Sequence, residues 1–154
     1  MKKVITIITL FLIVLVVFTG CSKQQLLMSE QLNSNSINKI QVITAMGNPD
    51  FGAESKIITN TDEIETFVKT FNSGIIGNKV DEKDIGIGSI SYYKFFYNDE
   101  LIAQFTFNVN DTNVIWFNNN YHYVTYGQNL KTPFELYKNS SADIFVVDEK
   151  GNII

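Results

Sequence analysis

The chain has one cysteine, one histidine, two prolines and no arginine; its twelve basic residues are all lysine. A single cysteine excludes an internal disulfide, so outside the cytosol the fold must be held by packing. A single histidine excludes a multi-histidine zinc centre, and any Ser-His-Asp triad would have to run through His122. That residue stands in Tyr121-His122-Tyr123, a strand pattern in which an amphipathic ring packs beside aromatics, and no catalytic or ligand role is expected of it. Positive charge is also scarce: the formal net charge is −4 and no basic run follows Lys3. An acidic chain of this kind is a poor ligand for nucleic acid, which excludes that class of partner. The acidic and amide clusters Asp81-Glu82-Asp84 and Asn108-Asn110-Asp111-Asn113 lack the D-x-[DN]-x-[DN]-G spacing closed by a glutamate that calcium loops use. They read as a solvated loop and an Asx-type turn, so no metal is expected. Gly86-Ile87-Gly88 has neither the third glycine nor the preceding strand of a dinucleotide fingerprint, and no cofactor is expected.

What the chain does have is a long uncharged run at its start. Lys2 and Lys3 precede Val4 to Phe18, which carries only Thr6 and Thr9 as polar interruptions, and Thr19-Gly20-Cys21-Ser22 follows. A basic start, an apolar centre and small residues before a cut make a secretory signal, and the lysines orient it so that everything after residue 20 is translocated. The cut region resembles a lipobox, in which a small residue precedes a cysteine; Phe18 stands where lipoboxes usually carry leucine. The resemblance implies a bacterial lipoprotein: cleavage after Gly20, with Cys21 receiving a diacylglyceryl group. A thiol beside the bilayer is the nucleophile such a thioether needs. Each buried CH₂ contributes about 0.8 kcal/mol, and two acyl chains give a durable anchor where one gives a marginal one. Two other readings stay open. The run is long enough, at roughly 18 residues, to span a bilayer uncleaved, or it is a buried core helix. The first of these keeps the same orientation. The expected partner is thus the membrane, through lipid on Cys21, and the expected place is the extracytoplasmic face of the cell membrane. The abundance of lysine, asparagine and isoleucine fits the codon bias of an AT-rich, low-GC Gram-positive genome.

Removing residues 1–20 from the 154 leaves 134 and takes the charge from −4 to −6, enough chain for one domain with its own core. Residues 21–36 are polar and read as the lipidated cysteine and a flexible tether, with the domain at 37–154. Ile40, Val42 and Thr44 alternate as a first strand, residues 47–52 have turn chemistry, and Lys56 to Thr59 is a second strand. Asn60 is an N-cap with Glu63 in capping-box position, and Ile64, Phe67, Val68 and Phe71 form one helical stripe ended by Asn72-Ser73-Gly74. Residues 77–88 read as loop. Residues 89–97 and 100–108 form a hairpin across Asn98-Asp99, and residues 114–117 and 121–126 a second across Asn118 to Asn120. Leu130 to Tyr137 is a short helix with Pro133 in its first turn, Ile144 to Val147 a last strand, and residues 149–152 a turn. The expected fold is α+β: an antiparallel sheet of about five or six strands with one main helix on one face, after the signal segment.

This order, with Phe51-Gly52 before the second strand and a helix opening after a polar cap, resembles the small Gram-positive lipoproteins called YhfM-like, over roughly residues 37–138. The resemblance implies an address and a fold; the family has no established activity to carry over. In a regular hairpin Ile90, Tyr92 and Phe96 share the core face with Leu101, Ala103, Phe105 and Phe107, leaving Lys94 as its odd member. Tyr93, Phe95 and Tyr97 then stand on the opposite face. With Trp116 they are the candidate contact residues for an envelope protein or peptide if that face is open, though a segment folding back over it would bury them. The expected function is a non-catalytic binding domain on a lipid anchor. The alternative is a carboxylate-dependent hydrolase acting on cell wall or glycan, for which no local pair of acids is singled out.

Overall fold

A computed structural model describes residues 24–25, 32–45, 53–85, 90–108, 114–148 and 153–154. The signal segment, Cys21, the turns at 47–52 and 149–152, the glycines at 86–88 and most of the Asn108–Asn113 cluster lie outside the described residues. The fold is α+β, an open antiparallel sheet with two α-helices. Eight strands have four residues or more: β2 (Lys39–Ala45), β3 (Ala53–Ile58), β4 (Ile75–Lys79), β5 (Ile90–Tyr97), β6 (Glu100–Asn108), β7 (Val114–Phe117), β8 (Asn120–Thr125) and β9 (Ile144–Val147). A two-residue strand, β1 (Gln24–Gln25), is added at one edge, and the spatial order is β1-β4-β8-β7-β6-β5-β2-β3-β9. The helices are α1 (Thr61–Asn72) and α2 (Pro133–Asn139).

Local chemistry places the helices. The Asn60 side chain accepts the Glu63 N–H at 3.0 Å, satisfying one orphan donor of α1. Ile64, Phe67, Val68 and Phe71 turn one stripe inward. The helix stops where the Ser73 N–H reaches back to the carbonyls of Lys69 and Thr70. α2 opens with a full capping box: Thr132 N–H donates to Glu135 Oε2 at 2.7 Å, and Glu135 N–H to Thr132 Oγ1 at 3.2 Å. Pro133 sits in its first turn, where a missing N–H costs nothing. Because α1 joins β3, near one edge of the sheet, to β4, near the other, it must lie across the sheet, and it lies over the face that becomes the core.

The core gathers around Phe71. Its ring is 5.4 Å from that of Tyr93, 5.0 Å from Phe95, 4.9 Å from Phe105 and 5.8 Å from Phe107. Ile40, Val42, Ile58, Ile115 and Val124 complete the sheet side of this layer, and Leu136 and Tyr137 of α2 join it.

Four expectations need correction. The sheet has more strands than five or six, because residues 75–79 form β4, the last three of them where a loop was expected, and because β1 is added beside it. The sequence Ile-Ile-Gly-Asn-Lys hides a strand, since its last three residues have no apolar side chain to alternate. Part of the expected tether is held on the domain: Leu32 is buried, its N–H donates to Asn72 Oδ1 at 2.9 Å, and Asn72 Nδ2 donates to its carbonyl at 2.8 Å. The third concerns the helices, of which α2 contributes to the same core as α1.

The fourth correction is the register of the first hairpin. Asn98 and Asp99 turn as expected, both with positive φ (46° and 66°), and Tyr97 pairs with Glu100 and Phe96 with Leu101. Phe95 then pairs with Ala103, so Ile102 is an extra residue, a β-bulge. One inserted residue exchanges the faces of everything beyond it. Tyr93 lies opposite Phe105, and both join the core, while Tyr92, Lys94 and Phe96 face the other way. Lys94 is therefore not an intruder in the core but a partner of Gln104 on the second face.

Candidate functional site

The corrected register separates the four candidate contact residues. Tyr93 and Phe95 lie beneath α1, 1% and 0% exposed, and cannot meet a partner. Tyr97 continues their row to the hairpin tip and is 44% exposed. Trp116, also 44% exposed, belongs to the opposite side of the sheet. What covers the Tyr93 row is the main helix itself, because the bulge turns that row inward.

Among the described residues, no helix packs on the second face of the sheet. Along β7 and β8 it presents Trp116 and Tyr121, directly paired and edge-to-face at 4.7 Å, and Tyr123, 43% exposed. Along β5 and β6 it presents Tyr92, Lys94, Phe96, Leu101 and Gln104. Lys39 lies 4.8 Å above the Phe96 ring and pairs with Asp99 at the neighbouring turn, a cation shared between an aromatic face and a carboxylate. Alternation in Tyr121-His122-Tyr123 was the signal for this surface. It was legible for β8, but its extent depended on the bulge.

His122 points to the core side at the margin of the sheet. Its Nδ1 is 3.2 Å from the Gly77 carbonyl oxygen and its ring stands edge-on to Phe117 at 6.2 Å. These contacts account for an amphipathic ring beside an aromatic. Among the described residues, no three His, Cys, Asp or Glu side chains converge on one point.

Among the described residues, Glu63, Asp99 and Glu135 have lowered pKa values. Burial works against the charge of Glu63, yet Ser140 Oγ donates to it at 2.6 Å and Ser141 donates through N–H and Oγ at 3.1 and 2.9 Å, and these bonds, with the charge of Lys56, hold it ionised. Asp99 is lowered by the hydrogen bond and charge of Lys39, and Glu135 by the backbone and side chain of Thr132. A general acid needs the opposite displacement. Glu63 and Glu135 act as acceptors at helix starts, and Asp99 as one at a hairpin turn. Glu63 lines a shallow groove of about 220 Å³ between α1 and α2, shared with Asp62, Thr66, Lys131 and Asn139. Its oxygens are already engaged by Ser140 and Ser141.

Groups raised in pKa are phenols. Burial pushes Tyr93 and Tyr126 far above the ordinary value and raises Tyr137, where the Glu54 carboxylate adds to the effect. Lys56 is buried without a directly bonded carboxylate. Its ammonium donates to the carbonyls of Tyr137 and Ser140, each at 2.9 Å, and lies 5.0 Å over the Tyr137 ring. It thereby satisfies carbonyls left open at the end of α2, where positive charge also suits the helix dipole.

Compared with protein-family models, curated proteins and solved structures, the chain finds no match in any of the three.

Proposed function

We propose that this chain is a lipid-anchored protein of the bacterial cell envelope whose α+β domain is a non-catalytic binding module. The observation that carries the anchor is the run from Lys2 to Ser22: two lysines, an uncharged centre, and a small pair before the sole cysteine. Among the described residues no helix is long and apolar enough to cross a membrane. The binding role is supported by the side of the sheet on which no helix of the described residues packs, where half-exposed aromatic side chains are displayed on a rigid scaffold. Hydrogen-bonded, lowered carboxylates suit a scaffold better than acid catalysis.

Growth of the host with labelled palmitate tests the anchor. The wild-type protein is expected to take up label and sediment with membranes, and Cys21→Ala to lose both. Label retained in Cys21→Ala would refute the assignment.

A further inference from the structure

The described edge strand says where the anchor meets the domain. Gln24 pairs with Ile76 and Gln25 with Ile75, so only Ser22 and Lys23 stand between Cys21 and the edge of the sheet. The three Cα–Cα steps from Cys21 to Gln24 reach at most about 11 Å. Because the pairing is antiparallel, the chain running back from Gln24 leaves on the side where β4 continues from Ile76 to Lys79. Next across the sheet come β8, with Val124 opposite Ile76 and His122 opposite Lys79, and then β7, with Trp116 opposite Tyr121 and Val114 opposite Tyr123. At about 4.8 Å per strand, both lie within about 10 Å of β4. If Cys21 carries lipid, this corner of the sheet cannot be far from the bilayer.

Its composition suits that position. The chain has 16 acidic residues, yet β4, β7 and β8 contain none, and Lys79 is their only charged residue. Anionic headgroups repel carboxylates, and the headgroup layer is where Trp and Tyr rings place an apolar body and a polar edge. From this edge geometry and charge pattern we infer that the open face of β7 and β8, with Trp116, Tyr121 and Tyr123, lies on the headgroup layer of the bilayer that holds Cys21. The inference rests on the lipid-anchor reading and names the first ligand of that face: a lipid surface.

Trp116 is the sole tryptophan, so its fluorescence reports this one position. The native lipoprotein is reconstituted into vesicles of phosphatidylglycerol and phosphatidylethanolamine, and flotation is measured alongside quenching. Trp116 is expected to be quenched severalfold more by a spin label near the lipid headgroup than by the same label deep in the acyl chains, and to be shielded from aqueous iodide. Replacing Tyr121 and Tyr123 together by Ser should restore iodide access while flotation and the melting temperature stay near wild type. Flotation with Trp116 open to iodide and untouched by lipid labels would overturn the surface and leave the anchor standing. Shielding from iodide without lipid quenching would overturn it in favour of a protein or a second copy. No flotation, with an unmodified Cys21 thiol by mass, would refute the anchor and this inference with it.

Discussion

Phe71 is the residue on which most of the core's aromatic contacts converge. It is fully buried, and four rings from β5 and β6 stand within 6 Å of it. Phe71→Ala removes both the transfer free energy and the packing of those rings, an expected loss of about 3–5 kcal/mol. Urea unfolding of the two proteins measures it, and a loss under 1 kcal/mol would show that the cluster does not hold the sheet to α1. Lys56 makes a different contribution. Lys56→Met keeps the stem's volume but leaves the carbonyls of Tyr137 and Ser140 without their donor, which costs about 1–3 kcal/mol for a buried polar group left unpaired. The change should appear as a lower urea midpoint. The phenols give the pH dependence. Tyr93, Tyr126 and Tyr137 all have folded-state pKa values above the ordinary 10.0. Their contribution is complete below pH 10 and is lost as the unfolded chain releases phenolic protons that the folded chain retains. The urea midpoint at about pH 11 should therefore fall below that at pH 8, and Tyr93→Phe should make the fall shallower. An unchanged midpoint in wild type would contradict the burial of these hydroxyls.

At the scale of elements, the hairpin of β5 and β6 shows what sequence can and cannot carry. The turn was legible, because Asn98-Asp99 tolerates the positive φ that a two-residue hairpin requires. The same chemistry gave the Asn118-Asn119 turn, with φ of 48° and 60°. α1 was legible from its cap and stripe, and α2 from Pro133. The bulge was not, because nothing in Leu101-Ile102-Ala103 distinguishes an inserted residue from a paired one. Its trace was Lys94, an ionic residue placed by regular pairing into a core with no partner for it, and that misfit was the signal of a shifted register. The error reached the candidate site directly, exchanging the buried Tyr93 row for the displayed Tyr92 row. Deleting Ile102 removes the extra residue but leaves Phe95 opposite Ala103 and Tyr93 opposite Phe105, so the core faces and a cooperative thermal transition should persist. Ile102→Ala, which trims a half-exposed side chain, should stay within about 0.5 kcal/mol of wild type. A deletion variant that lost its cooperative melt would contradict the placement of the extra residue at Ile102. β4 was missed for another reason: it is held by pairing with β8 rather than by its own pattern, so its existence is tertiary information.

For the whole molecule, the two edges of the sheet are closed differently. Beyond β9, Ile153 pairs with Val147 and the Ile154 N–H donates to the Val146 carbonyl at 3.0 Å, covering backbone groups that would otherwise invite another strand. At the other edge β1 lies on β4, a few residues after the sole cysteine. The helix-covered face supplies stability without any disulfide, and the second face carries the half-exposed Trp116 and Tyr123. The central claim, attachment through Cys21, was read from residue types alone and concerns covalent chemistry, so the decisive measurement is the intact mass of the protein extracted from its native membrane. The expected product is a chain that starts at Cys21 and carries the added mass of a diacylglyceryl thioether. A free thiol on a product that retains Met1 to Gly20 would contradict it.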